Sequence, residues 1–324
     1  MDRQFIPSAD VVAFFERYDA YYILGHKEPD GDCVGSQLAL ASFLERRGKK
    51  TICLSAGPFN RTEISSYASF FAEKAQAPVA GNAAAVVVDC SSMARAGTAA
   101  EGLEDLPVAF IDHHAAGEAC GTARFVVPSA PAVTCLVQGI IEAMGDIPTP
   151  REAELLLFGL CTDTGFFRHM DERSAEAFAM TARLVDAGAS PKKAFGMMNG
   201  GKPFESRILM GELLVRAQRL YGGKLIVTWM GLQDHEKYGL MGRDSDMLYQ
   251  LIMTVEGVEA AVVIRQEKPG ECTVGFRSRE LVDVSSIAAS FGGGGHRLAA
   301  GLHIYGELEQ VKQAIIAAFQ TVLS

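Results

Sequence analysis

The stretch Val108-Ala109-Phe110-Ile111-Asp112-His113-His114 decides how this chain is read. An apolar run of strand type passes directly into one carboxylate and two imidazoles. An interior strand has no structural use for three such groups at its carboxyl end, and leaving them buried and unpaired is costly. In open α/β sheets ligands bind outside the carboxyl ends of the strands. Asp112, His113 and His114 suit a divalent metal, which takes imidazole nitrogen and carboxylate oxygen together. By itself the triplet leaves two readings open, a metal site or a polar turn with a capped histidine pair.

The same pattern recurs upstream. Val11 to Arg17 reads as a helix and Tyr21-Tyr22-Ile23-Leu24 as a strand. That strand ends in Gly25-His26-Lys27-Glu28-Pro29-Asp30-Gly31-Asp32. The helix after it has Leu38, Leu40, Ala41 and Leu44 on its apolar face and Gly48 where a terminating glycine belongs. Asp32 is placed to cap its first turn, but a cap does not account for His26 and Asp30 beside it. A calcium loop fails as an explanation, because its third ligand position falls on Val34 and its glycine position, Gly35, comes without the loop's closing glutamate. Lys50 to Leu54 reads as a strand, and Ala83 to Val88 as another, continuously apolar as a strand covered on both faces should be. It ends in Asp89. Phe125 to Val127 reads as a further strand and Ala132 to Met144 as a helix closed by Gly145. Arg151 to Leu160 is helical and runs into Cys161-Thr162-Asp163-Thr164-Gly165-Phe166-Phe167-Arg168, so Asp163 is one more carboxylate at an element end. Glu172 to Ala187 is another amphipathic helix. Strands alternating with helices predict an α/β fold whose N-terminal part is a doubly wound parallel sheet.

Beyond this the character changes. Ser190-Pro191 opens a helical connection, and Gly196, Gly200, Gly201 and Pro203 interrupt it. The expected organisation is a catalytic domain over 1–189, a linker over 190–204 and a second domain over 205–324. A long helix to about Arg219 should open the second domain. Leu225 to Trp229, Ala260 to Ile264, Glu271 to Arg277 and Leu302 to Tyr305 read as strands, with helices at Met247 to Val255 and Val284 to Ser290. A smaller C-terminal α/β domain with a mixed sheet is predicted.

Composition narrows the class. The 324 residues carry a net charge of −9, 48% hydrophobic and 21% charged residues. Such a chain is an ordinary globular protein without the basic stripe that grips long duplex nucleic acid. The seven cysteines show no C-x-x-C spacing, and no apolar run approaches a membrane span. With no export signal at the N-terminus, a reduced cytoplasmic location is expected.

Four places thus put carboxylates or imidazoles at element ends: His26/Asp30/Asp32, Asp89, Asp112/His113/His114 and Asp163. Aspartates gathered on one sheet edge would repel one another and titrate upward. Two divalent ions would relieve that. The donors are oxygen-rich with about one histidine per ion, which favours Mn²⁺ over zinc. Such a pair activates water and clamps a phosphorus centre. Near the C-terminus, Phe291-Gly292-Gly293-Gly294-Gly295-His296-Arg297 reads as a loop whose backbone N–H groups can turn toward an anion. His296 beside it and Arg277 upstream make phosphate recognition the preferred reading.

H-x-x-x-D-x-D at 26–32, Val88-Asp89, D-H-H at 112–114 and T-D-T-G-F at 162–166 together resemble the four motifs of the DHH phosphoesterase superfamily. The segment from Phe291 to His296 and on through Ala299-Ala300-Gly301 resembles the signature of its associated DHHA1 domain. The layout is similar to the two-domain nano-RNase and phosphoadenosine phosphate (pAp) phosphatase group. The resemblance implies His26, Asp30 and Asp89 as ligands of one metal. It implies Asp32, Asp89, His113 and Asp163 for the second, with Asp89 bridging. Asp112 is then expected behind the histidines, orienting them, and His114 facing the substrate phosphate. Arg277, Gly293, Gly294, Gly295 and His296 would hold the substrate. The implied activity is Mn²⁺-dependent hydrolysis of short oligoribonucleotides and of pAp. The alternative is a phosphodiesterase for cyclic dinucleotides such as cyclic di-AMP, or for their linear products. Long duplex nucleic acid and membranes are not expected partners, and a homodimer stays open. Lys27 and Glu28 are unusual at their positions.

Overall fold

The computed structural model describes residues 5–75, 81–114, 121–239 and 245–323. The chain divides into two units, Met1–Gly201 and Lys202–Ser324.

The first unit contains α1 (Ala9–Arg17), β1 (Ala20–Leu24), α2 (Gly31–Arg46), β2 (Lys50–Leu54), β3 (Ala83–Val88), β4 (Val108–Asp112), β5 (Ala123–Val126), α3 (Val133–Ala143), α4 (Pro150–Asp163), α5 (Ala175–Asp186) and α6 (Pro191–Asn199). The five strands among its described residues are all parallel, in the order β2-β1-β3-β4-β5. The order reverses between β1 and β3, and that switch point is where open α/β sheets hold ligands. Every residue of β1 and β3 is buried, as strands covered on both faces require. Alternation along β1, β3 and β4 divides the core in two. Tyr21, Ile23, Ala84, Val86, Val88 and Ile111 pack with the helices, while Tyr22, Leu24, Ala85, Val87 and Phe110 face the other way. On that second face the covering residues Ala96 and Ala99 belong to a short 3-10 segment, Met93–Ala100, rather than to a full helix. Gly97, at φ 63°, breaks the segment before a longer helix can form.

Helices α2 and α4 cross at very short range. A Cβ on Gly35 would stand 2.6 Å from the Leu155 carbonyl oxygen, and one on Gly159 would stand 3.1 Å from Asp32 Cα. Only glycine permits that approach. It brings the first turn of α2, which carries Asp32, against the last turns of α4, which end at Asp163.

The second unit contains α7 (Phe204–Val215), β6 (Gln218–Leu220), β7 (Leu225–Met230), α8 (Leu232–Tyr238), α9 (Ser245–Met253), β8 (Ala260–Lys268), β9 (Glu271–Ser278), α10 (Val284–Ser290), β10 (Gly294–His296), β11 (Ala299–Tyr305) and α11 (Leu308–Leu323). Its sheet is mixed, ordered β10-β11-β9-β8-β7-β6, and among the described strands only the β7–β8 pair is parallel. Cys272, Val274 and Phe276 of β9 point into a core shared with α10 and α11. Ala261 and Val263 of β8 face the other core, with Leu209 and Leu213 of α7 and Tyr249 of α9.

Two expectations are corrected here. The helix expected to reach Arg219 stops at Val215, and Gln218–Leu220 pairs with β7 as an edge strand. The stretch expected to be a loop from Phe291 to Arg297 contains the edge strand β10, antiparallel to β11. In both places the competing tertiary pairing overrides a local pattern too short or too glycine-rich to reveal a strand.

Candidate metal centre

Each acidic or imidazole group reaches the switch point by a local device. His26 lies just past β1 and Asp89 immediately past β3. Asp89 sits at φ 52°, a left-handed conformation that side chains with a Cβ adopt rarely and that recurs at functional sites. Its N–H donates to the Ile111 carbonyl oxygen at 3.0 Å, so β4 holds the turn in place. Asp30 caps α2, its Oδ1 accepting from the N–H groups of Asp32 and Cys33, both at 3.1 Å.

Asp32, which by position could have capped that first turn, does not. It lies inside the first turn of α2, and its carboxylate reaches across to the N-terminus of α3. Oδ2 accepts from Val133 N–H at 2.6 Å and Oδ1 from Thr134 N–H at 3.0 Å. The start of α3 has no side-chain cap of its own, and Asp32 fills that role from another helix.

The centre is organised around Asp89. His26 Nε2 lies 3.5 Å from its Oδ2, and His113 Nε2 lies 3.5 Å from its Oδ1. Asp163 Oδ2 is 3.5 Å from His113 Nε2, and Asp30 Oδ2 is 3.9 Å from His26 Nε2. The other ring nitrogens face backbone carbonyls: His26 Nδ1 is 2.8 Å from Lys27 O, and His113 Nδ1 is 3.0 Å from Ala130 O. A carbonyl only accepts, so each Nδ1 carries a proton and each Nε2 is turned to the carboxylates. This is the arrangement that orients a metal-binding imidazole.

Asp112 is buried, and its Oδ1 accepts from His113 N–H, His114 N–H and the His114 ring Nδ1 at 2.8, 3.2 and 2.7 Å. It therefore fixes the ring of His114, whose side chain is 37% exposed. The ring of His113 takes its orientation from Ala130 instead.

The electrostatics match the crowding. Burial, with Asp89 and Asp163 nearby, pushes the Asp32 carboxyl well above the usual range. Burial also raises Asp163, to about 6. Burial works against Asp89 as well, but hydrogen bonds from His113 and His26 keep its carboxylate below its ordinary value. Burial would lower both histidines, yet the Asp89 hydrogen bond and the surrounding carboxylates carry His26 up to about 9 and His113 to about 10. Without an ion, the site collects protons on its imidazoles to balance its carboxylates. Divalent cations would supply the same positive charge, and the donor set fits them. Three groups of donor atoms lie within 4.8 Å of one another: His26/Cys33/Asp89, Asp89/His113/His114 and Asp32/His113/Asp163. Cys33 is the member that sequence reasoning missed, having treated it as one of several scattered thiols. Its signal lay in its place three residues after the Asp30 cap, within the first turn of α2.

In the second unit the register places Arg277 of β9 opposite Ala299 of β11, and Ala299 opposite His296 of β10. Directly paired residues share a face, so Arg277 and His296 flank Ala299. The Arg277 guanidinium carbon stands 4.7 Å above the Tyr249 ring, and its Nη2 lies 3.6 Å from Asp246 Oδ1. Gly293, Gly294 and Gly295 lie at and beside the β10 edge strand.

Fold and site together define the class of the chain, a hydrolase acting on phosphoester bonds. The chain belongs to the DHH family: residues 20–160 match the DHH family N-terminal domain, and residues 222–324 match the DHHA1 domain. It is similar to the bifunctional oligoribonuclease and PAP phosphatase NrnA of Thermus thermophilus, 30% identical over 305 residues that span 94% of this chain and 90% of that protein. In structure it resembles an exopolyphosphatase-related protein from Bacteroides fragilis, with a TM-score of 0.80 at 21% identity over 97% of this chain and 94% of the other. A pGpG-specific phosphodiesterase of Vibrio cholerae, PggH, aligns at a TM-score of 0.53 and 12% identity over 94% of this chain and 99% of that one.

Proposed function

We propose that this chain is a Mn²⁺-dependent phosphoesterase that hydrolyses short oligoribonucleotides and 3′-phosphoadenosine 5′-phosphate. The observation that carries the reading is Asp89, whose two carboxylate oxygens each face a different histidine Nε2 at 3.5 Å. A carboxylate so placed would serve two cations at once. In this reading His26, Asp30 and Asp89 hold one ion, and Asp32, Asp89, His113 and Asp163 hold the other. Two such ions supply Lewis acidity at the phosphoryl oxygens and a water acidic enough to attack phosphorus at neutral pH. The oxygen-rich donors, with one imidazole each, favour Mn²⁺.

The protein's own groups do the rest. Asp112 holds the Nδ1 proton of His114, leaving Nε2 to face the substrate phosphate as proton carrier, and as hydrogen-bond donor when the ring is protonated. Arg277, His296 and the glycines Gly293, Gly294 and Gly295 recognise a terminal phosphate or nucleotide. We assign catalysis to residues 1–189 and substrate recognition to 205–324. The similarity to the Thermus thermophilus enzyme supports the substrate class, and the six described cysteines, all free and buried, suit a reducing cytoplasm.

The test is a panel of dinucleotides, an RNA length series, pAp and cyclic di-AMP, assayed with Mn²⁺ at two salt concentrations. A chain of net charge −9 has little general attraction for a polyanion. We therefore expect kcat/KM to be highest for di- to tetranucleotides and to fall for RNA of about twenty nucleotides, with a shallow salt slope corresponding to few phosphates. Faster degradation of the long RNA would instead indicate a processive exonuclease. A marked preference for cyclic di-AMP would replace this reading with the cyclic dinucleotide phosphodiesterase.

A further inference from the structure

Asp163 closes α4, and the chain then turns through three consecutive left-handed residues, Gly165 (φ 57°), Phe166 (φ 58°) and Phe167 (φ 68°). Aromatic side chains rarely adopt this conformation, and such strain persists where the surroundings over-determine it, often beside ligand sites. Here the surroundings do so. Phe166 N–H donates to Cys161 O at 2.7 Å, and Phe167 N–H to Thr164 Oγ1 at 3.0 Å. The Thr164 hydroxyl in turn donates to Leu160 O at 2.6 Å. The two rings are thereby fastened to the helix end that carries Asp163.

From there the aromatic row extends in both directions. Phe166 meets Phe195 of α6 edge-on at 5.1 Å, Phe166 meets Phe167 at 5.3 Å, and Phe167 meets Phe178 of α5 at 5.5 Å. The inner rings pack against the core of the first unit. The outer rings do not need to be where they are for the core's sake, since Phe178 is 48% and Phe195 51% exposed. Single exposed apolar residues are ordinary, but a contiguous row is not. Arg168 follows Phe167 in the chain, and its Nη2 lies 3.4 Å from His169 Nε2, beside Gly165.

We infer that the row Phe178–Phe167–Phe166–Phe195 is a nucleobase platform, on which a base of the substrate stacks while its phosphoester lies at the centre that includes Asp163. This rests on the phosphoesterase reading above and adds the part of the substrate that the metal ligands do not touch. The occupant is a nucleobase because aromatic rings, half-exposed at both ends of the row, run in contact from the helix end that carries the metal-ligand candidate Asp163, with the Arg168 cation and the His169 ring at the same turn. Stacking of this kind is tolerant of base identity. The platform thus selects for phosphoesters that carry a base, whichever base it is.

The experiment compares kcat/KM for a ribodinucleotide with that for an abasic dinucleotide of the same charge, in the wild-type chain, Phe195→Ala, Phe178→Ala and Phe195→Trp, all loaded with Mn²⁺. Loss of one stacking partner corresponds to about tenfold. The wild-type chain should prefer the base-bearing substrate, and at least one alanine variant should lose about tenfold of that preference, mainly through KM. Phe195→Trp should keep it. If the wild-type chain turns over both substrates and neither alanine variant alters the ratio, the platform is refuted and the phosphoesterase reading survives. A variant that loses equally on both substrates, or changes only its sedimentation, refutes the platform in the same way. If the wild-type chain turns over neither substrate, both readings fail.

Discussion

A methyl group added at Gly293, Gly294 or Gly295, at and beside the β10 strand, separates what strand pairing requires from what a ligand requires. On Gly293 it would stand 2.3 Å from Leu302 Cβ and 2.5 Å from the Gly301 carbonyl oxygen. On Gly295, at φ 145°, it would stand 2.6 Å from both Ala299 O and Ala300 Cα. These neighbours are backbone or short side chain and cannot swing aside, so overpacking should cost about 1–3 kcal/mol. For a unit of this size that is about 3–6 °C of melting temperature per kcal/mol. Gly294 differs: its Cβ would meet nothing within 4 Å, and its φ is not left-handed. Gly294→Ala should be neutral, or stabilising by up to about 1 kcal/mol through the unfolded chain. Yet Gly294 shares a face with His296, two residues on, and pairs with Gly301, which pairs with Gly275. At Gly275 the Tyr249 hydroxyl fills the space of the absent side chain, whereas folding does not need a glycine at Gly294, and in the proposed reading close approach of a phosphate would account for it. Displacing that phosphate by about 1 Å costs roughly a hundredfold in rate. Melting curves and kcat/KM on a dinucleotide should therefore diverge. Gly293→Ala and Gly295→Ala should melt early, while Gly294→Ala melts normally and loses about ten- to a hundredfold of kcat/KM. Full activity in Gly294→Ala would refute substrate approach at β10.

Three further outcomes are expected. Asp89→Ala should remain folded by circular dichroism, lose turnover and bind fewer ions by elemental analysis, and chelation of the parent should act likewise, with Mn²⁺ restoring activity; substantial turnover in chelated buffer would overturn the two-metal reading. His296→Ala should raise KM while metal content stays intact, and loss of metal there would mean that the roles of the two domains are wrongly divided. The metal-free protein should become less stable as pH rises. His26 and His113 titrate in the folded state at about 9 and about 10 against an ordinary 6.5. Their contribution is therefore complete below pH 6.5 and disappears through pH 9 to 10. The raised Asp163, at about 6, gives the same sign lower in the range. Urea midpoints of chelated protein should fall from pH 6 to 10 and flatten when Mn²⁺ is present; a midpoint that climbs with pH would contradict the proton balance described for the site.

The parallel sheet was legible because its central strands are covered on both faces. Ala83–Val88 has no polar residue to disguise it, and the polar group just beyond each such run, His26, Asp89 or Asp112, could be recognised as standing at an element end. The mixed second sheet was legible in its long strands and not in its edges. Gln218–Leu220 is only three residues long, and Gly294–His296 is mostly glycine, so neither offers a hydrophobic period to read. α8 stayed hidden for a similar reason, its sequence Leu232-Gln233-Asp234-His235-Glu236-Lys237-Tyr238 being polar almost throughout.

Within the site, sequence could name groups but not assign partners, because partner choice is tertiary. Asp32 has the residue type and position of a cap for its own helix. What sends it elsewhere is the crossing of α2 and α4 at Gly35 and Gly159, which aims its carboxylate at Val133 and Thr134, about a hundred residues away. The same holds for His113, whose ring is set by the carbonyl of Ala130, a residue with no functional side chain to attract notice. An oxygen-rich centre could be foreseen from its aspartates, but the thiol of Cys33 joins the donors only because one turn of helix rotates it toward His26 and Asp89. Motif spacing therefore identifies the groups that carry charge, and the packing of small residues decides which of them face one another.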